Sequence, residues 1–164
     1  RSQLGKLEIL IEALDPSQLM MDNVTLLQPV AEKKEITLAM LPYTGPALMG
    51  DRFTITTVIR NFISNALKFT PRNGSVTVSA VCRDGLVTVS VQDTGKGISE
   101  ADQEKLFNAG KNVSTPGKKK KKGTGLGLIL CKEFIEKNAG TLSVSSVEGT
   151  GSTFSFTLPA SIKK

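Results

Sequence analysis

An α+β fold, with a mixed sheet and helices packed on one face, follows from three features of the sequence. Runs with helical spacing and runs with strict alternation are mixed along the chain. Two pairs of alternating runs flank turn residues and read as β-hairpins. One long amphipathic run, from Val58 to Thr70, supplies a helix with a broad apolar face of Ile55, Val58, Ile59, Phe62, Ile63 and Ala66.

The elements follow in order. Residues 6–14 read as a strand. Asp15-Pro16-Ser17-Gln18 then supplies an N-cap, a proline at the first helical position and a glutamine placed to close a capping box. A helix runs on to about Glu32, with Pro29 kinking it or marking its last turn. Glu35 to Met40 is a second strand. Asp51 caps the next helix, which ends near Phe69, before Pro71. Ser75 to Cys82 alternates, as do Val87, Val89 and Val91, and Arg83-Asp84-Gly85 turns between them. A short helix is expected from about Glu100 to Phe107. Residues 109–123 lack periodicity and read as a mobile loop. Gly125 to Asn138 is helical and stopped by Gly140. Thr141–Val147 and Thr153–Leu158 close the chain as a hairpin around Gly149-Thr150-Gly151. No repeat or boundary divides residues 1–164, which read as a single domain.

Composition narrows the chemistry. A chain of 164 residues suits one domain with a proper core. No apolar run approaches the roughly 18 residues of a membrane span, and no signal peptide is visible. The chain opens at Arg1 without an initiator Met, as a piece of a longer protein would. Cys82 falls in a strand-like run and Cys131 on a helix-like face, so two buried free thiols and a reducing compartment are expected. With no His and no clustered Cys, a zinc site and a Ser-His-Asp triad are excluded. Lys118 to Lys122 carry five charges in one block, and without those five the net charge of +6 falls to +1. The run reads first as a solvated loop. Phosphate contacts come next, and nucleic-acid binding last, because no aromatics interleave the lysines.

The long amphipathic helix carries polar groups beside its apolar face. At roughly 100° per residue, Asn61, Asn65 and Lys68 fall within about 60° of one another. Two carboxamides and an ammonium can offer oxygen to a hard cation and positive charge to a phosphate. They also suit a solvated helix edge, and this helix alone leaves both readings open.

Three glycine-rich segments follow: Asp93-Thr94-Gly95-Lys96-Gly97-Ile98, Gly123-Thr124-Gly125-Leu126-Gly127-Leu128 and Glu148-Gly149-Thr150-Gly151-Ser152-Thr153-Phe154. The middle one opens a helix, where glycine lets backbone N–H groups approach an anion at the positive end of the dipole. Its spacing is neither a Rossmann fingerprint nor a P-loop. Asp93 ends a strand beside a glycine turn, where its carboxylate could cap the turn or accept from the exocyclic amine of a base. The last segment alone reads as a plain hairpin.

Taken together these residues resemble the catalytic ATP-binding domain of two-component sensor histidine kinases, in the GHKL ATPase superfamily. Arg60 to Thr70 resembles the N box and Asp93 to Ile98 the G1 box. Phe107 resembles the F box, Gly123 to Leu128 the G2 box and Gly149 to Phe154 the G3 box. The match covers nearly the whole chain, in the family's order and spacing.

The resemblance implies the Bergerat ATP-binding fold, a two-layer α/β sandwich with a mixed, mostly antiparallel sheet. It implies ATP and Mg²⁺ as cofactors, with Asn65 the chief metal ligand and Asn61 assisting it or its waters. Asn61, Asn65 and Lys68 would form the catalytic group, with Lys68 near the phosphates. Asp93 would accept from the adenine amine, in a pocket shaped by Gly95, Gly97 and Ile98. Gly123, Thr124, Gly125, Leu126 and Gly127 would bind phosphate through backbone N–H groups. The implied ATP-binding set also takes in Phe69, Lys96, Phe107, Lys111, Leu128 and Thr153. Residues 99–122 would form a lid over the nucleotide, with Phe107 at its base.

By this resemblance the chain donates the γ-phosphoryl group of ATP to a histidine on a dimerisation domain, with a response regulator downstream. It is expected in the cytoplasm, within a parent kinase that is itself membrane-anchored or not, and without nucleic-acid or direct membrane contact. It has no histidine and cannot autophosphorylate on one alone. Three departures stand out. Hydrolysing relatives carry Glu where this chain has Asn61, which cannot act as a base, so transfer is favoured over hydrolysis. Gly110 stands where a second F-box aromatic is common, and Lys118–Lys122 is unusual. The competing readings are an ATP-driven conformational machine and a degenerate binding module.

Overall fold

The structure, a computed structural model, describes residues 8–99 and 122–161, with side chains in its last helix described from Gly127 onward. The elements are β1 (Ile11–Leu14), α1 (Pro16–Lys33), β2 (Thr37–Met40), β3 (Leu48–Asp51), α2 (Arg52–Phe69), β4 (Ser75–Arg83) and β5 (Leu86–Asp93). They continue with α3 (Lys122–Lys137), β6 (Thr141–Val147) and β7 (Gly151–Pro159). A five-stranded sheet runs in the order β2-β4-β5-β7-β6, and β1 and β3 form a separate two-stranded sheet. Among the described residues only β2 and β4 pair in parallel, and the other strand pairings are antiparallel. The α+β expectation therefore holds.

Alternation decides which face of the sheet meets the helices. Val76, Val78, Val87, Val89, Val91, Phe154, Phe156 and Leu158 point inward and are buried. The opposite face is polar: Ser79, Ser90, Ser155 and Ser143 lie in one row across four strands. α2 docks through Phe62, whose ring lies 5.6 Å from that of Phe154 and 6.2 Å from that of Phe156. Cys131 is buried in this core and desolvation pushes its thiol up to about 12, while Cys82 is half-buried; both are free.

Several boundaries differ from the sequence expectation. β1 begins at Ile11, where Leu10 before it donates its N–H to the carboxylate of Asp51; residues 6 and 7 of the expected strand lie outside the described residues. β3 has no counterpart in the sequence reading; it is held by β1, a partner distant in sequence. The N-cap at Asp15 forms, accepting from the Ser17 N–H, but Gln18 bonds Asp22 instead of closing the box. Pro29 lies inside α1, and the Thr25 carbonyl it cannot bond belongs to an exposed residue.

β2 starts at Thr37 because Glu35, at φ +61°, ends α1. The N–H of Ile36 then reaches the carbonyl of Ala31, and that of Glu35 the carbonyl of Glu32. The same double bond ends α3, with Ala139 at φ +67° in the left-handed position expected of Gly140. Gly140 serves close packing instead: a Cβ there would overlap the Thr157 carbonyl and the Leu158 side chain. α3 begins at Lys122, so Lys122 and Gly123 belong to a helix rather than to the expected loop or lid. The expected short helix at 100–107 and the rest of the 109–123 loop lie outside the described residues.

Candidate nucleotide site

α2 is fixed at its start by a buried polar cluster. Asp51 caps it, its carboxylate accepting from the Thr54 N–H at 2.9 Å and the Thr54 hydroxyl at 2.8 Å. Burial opposes ionisation of Asp51, but these bonds and one from Leu10 outweigh it and hold the carboxyl below its ordinary range. Asn138, just past α3, accepts from the Asp51 N–H and donates to Thr54 and to the Phe134 carbonyl. α2 and α3 are thus tied end to start, running antiparallel.

The polar stripe lies farther along α2. Asn61 is half-buried; its Nδ2 donates to the Thr57 carbonyl, and its Oδ1 lies 3.3 Å from where a Cβ on Gly127 would stand. Asn65 is buried, and its Nδ2 has no hydrogen-bond partner among the described residues. A half-turn of the amide presents its oxygen at the same place. Such a carboxamide is uncommitted to the fold and fits a hard cation that takes one protein oxygen. Lys68 is exposed. Lys34 at the end of α1 donates to the carbonyls of Leu67 and Lys68, closing the last turn of α2.

The second wall is the end of β5. Asp93 is 5% exposed. One oxygen, Oδ1, accepts from the N–H of Gly95 at 2.8 Å and of Ser152 at 3.3 Å. No protein donor among the described residues is shown on the other oxygen, so an acceptor remains for a ligand. Desolvation raises the carboxyl of Asp93 above its ordinary range, against the lowering effect of those two bonds.

The following loop is welded to the last hairpin. Ile98 donates its N–H to Ser146 Oγ at 2.7 Å, that hydroxyl reaches the Gly151 carbonyl and Ser152 Oγ, and the Gly149 N–H reaches the Lys96 carbonyl. Gly97, at φ +78°, abuts the Val147 backbone, and Gly151, at φ +148°, abuts that of Asp93; neither place has room for a Cβ. Gly95 joins the two walls. A Cβ on it would stand 2.6 Å from the Phe69 carbonyl oxygen and 3.1 Å from Asp93 Oδ1.

The structure therefore brings Asn61, Asn65, Phe69, Asp93, Gly95 and Gly127 to one end of the sandwich, between α2, the close of β5 and the start of α3. Lys96 is exposed and Ile98 half-buried against the core. Leu128 is fully buried core. Gly123, Thr124, Gly125 and Leu126 lie in the first turns of α3, and Phe107 and Lys111 are outside the described residues. One expected residue is misplaced. Thr153 pairs with Gln92 on the outward face of the sheet, and the hydroxyl residue beside Asp93 is its neighbour Ser152. Among the described residues no cluster of His, Cys, Asp or Glu could hold a metal, and no helix is long and apolar enough to cross a membrane.

The chain is similar to known proteins in sequence and in fold. The family model for histidine kinase-, DNA gyrase B- and HSP90-like ATPases matches residues 50–162. The non-motile and phage-resistance protein of Caulobacter vibrioides is 39% identical over 161 residues, covering 96% of this chain and 19% of that protein. The circadian input-output histidine kinase CikA of Thermosynechococcus vestitus is 34% identical over 162 residues, covering 97% of this chain and 22% of that one. Among solved structures, full-length ShkA in complex with AMPPNP matches with a TM-score of 0.80 at 29% identity, over 94% of this chain and 32% of that one. The chain spans about a fifth of the length of these curated relatives.

Proposed function

The chain belongs to the family of histidine kinase-, DNA gyrase B- and HSP90-like ATPases, and we propose that it is the ATP-binding catalytic domain of a sensor histidine kinase. In this reading residues 1–164 act as one unit. They hold Mg-ATP and pass its γ-phosphoryl group to a histidine on a separate dimerisation domain, from which a response regulator is phosphorylated. The AMPPNP complex of ShkA and the kinase identity of CikA support it.

The observation that carries the reading is the buried carboxylate of Asp93. Two backbone N–H groups hold one oxygen, and the other is left to accept from an exocyclic amine. Asn65 would hold Mg²⁺ through its carboxamide oxygen. The ion, when bound, neutralises charge on the phosphates. Lys68 and the N–H groups opening α3 would face the same phosphates. Asn61 has no basic oxygen, and its amide already donates to Thr57. A water activated for hydrolysis therefore has no base there, which favours transfer to imidazole.

The decisive experiment incubates the chain with γ-labelled ATP and a separately made dimerisation domain carrying the acceptor histidine. Label on that histidine, in acid-labile form, is the expected result. ATP binding without any transfer would point to the degenerate module instead.

A further inference from the structure

We propose that Thr70 is a base-reading residue of this site, its hydroxyl donating to a ring nitrogen of adenine next to the exocyclic amine, directly or through one water. The inference rests on the ATP-binding reading above and deepens it.

Two buried side-chain polar atoms lack a hydrogen-bond partner among the described residues: Nδ2 of Asn65 and Oγ1 of Thr70. Unpaired buried polar groups are costly, and those that persist in a fold call for an explanation. Asn65 has one in the metal and phosphates. Thr70 stands five residues on, at the C-cap of the same helix, 2% exposed and with φ −95° and ψ 131°. It follows Phe69, whose carbonyl shares Gly95 as a neighbour with the Asp93 carboxylate. The methyl of Thr70 packs against Gly74, at a spot 3.0 Å from the hydroxyl of Thr94, the residue after Asp93.

Thr94 has partners: its hydroxyl accepts from the Ser75 N–H and its own N–H donates to the Ser75 carbonyl. Thr70 is thus the hydroxyl left over at the base end of the site. A carboxylate can only accept, so Asp93 can read the amine but not an adjacent ring nitrogen, which needs a donor. The Thr70 hydroxyl supplies one.

The test compares Thr70→Val, Thr70→Ser and the parent chain by calorimetric binding of ATP, 1-deaza-ATP and 7-deaza-ATP, and by melting without nucleotide. Valine keeps the shape and removes the unpaired hydroxyl. The melting temperature of the free Thr70→Val chain should equal or exceed the parent's, while its ATP affinity falls at least fivefold. The Ser variant should keep parental affinity. One deaza analogue, lacking the nitrogen read, should bind parent and Val variant alike.

A Val variant that melts lower when free would show a structural hydroxyl and overturn the proposal. So would unchanged ATP affinity, or an equal loss for ATP and both analogues. A Val variant too unstable to fold counts as the first of these. If the parent itself binds no ATP, the functional reading fails as well; if it binds and only Thr70 is silent, the functional reading stands.

Discussion

The side-chain oxygen of Asn138 accepts a 2.7 Å hydrogen bond from the backbone N–H of Asp51, joining the end of α3 to the start of α2. The amide nitrogen of Asn138 is spent on Thr54 and on the Phe134 carbonyl. Asn138→Ala leaves the Asp51 N–H and the Phe134 carbonyl without a side-chain partner in a site closed to water. The expected loss is about 2–3 kcal/mol of stability, measured as a lower urea midpoint with unchanged slope.

Mg-ADP should stabilise the chain by about 2.7 kcal/mol when present at about 100 times its dissociation constant, seen as a raised melting temperature. Asn65→Ala should bind ADP with little dependence on Mg²⁺ and melt no lower than the parent when free, since its amide nitrogen has no partner to lose. A melting curve unmoved by millimolar Mg-ADP would count against nucleotide binding.

Asp93→Asn keeps the shape of the base-reading group but gives it a donor. ATP affinity should fall by about 1.5–3 kcal/mol, as for a charge-assisted bond. GTP should bind the parent poorly, because its base presents a carbonyl where adenine has an amine. Equal titration curves for ATP and GTP would remove this role from Asp93.

The two buried carboxylates should act oppositely with pH. Asp51 titrates below its ordinary value of 3.8 in the fold. Its charge therefore stabilises fully above that value, and the gain is lost as pH falls through its folded pKa. Asp93 titrates above the same 3.8, so its charge costs stability at neutral pH and the cost lifts as pH falls through its raised pKa. Hence Asp93→Asn should gain over the parent near pH 7 and lose that gain in acid. Asp51→Asn, which keeps a capping side chain, should lose stability near pH 7 and approach the parent in acid. Urea denaturation of both variants across that range checks the signs.

Turnover of ATP by the chain alone should be close to background even at saturation, since Asn61 cannot activate water. A phosphate-release assay with Asn61→Glu beside the parent tests this: hydrolysis by the parent at the level of a dedicated ATPase would favour the conformational-machine reading.

Local chemistry made much of this legible in the sequence. α2 was bounded by the Asp51 cap and Pro71, and the β4–β5 hairpin by Asp84-Gly85, both of which take the positive φ its tight turn requires. What stayed hidden depends on partners far along the chain. β3 exists because β1 pairs with it, and Asn138 matters because Asp51 lies against it. Thr153 was misplaced because strand faces alternate residue by residue, so a slip of one position exchanges Thr153 for Ser152. Thr70 stands in the sequence only as the last residue of the N-box run, since an unpaired hydroxyl is visible only once its surroundings are known.

The close backbone contacts of Gly97 with Val147 and of Gly151 with Asp93 leave no slack between the loop after β5 and the last hairpin. That half of the site should open to deuterium only when the sheet itself does. The amides of Ile98, Gly149 and Ser152, each bonded across this junction, would then exchange together with those of central β5. A nucleotide would meet a base-binding jaw already set before it arrives, so adenosine without phosphates should bind with little added protection there.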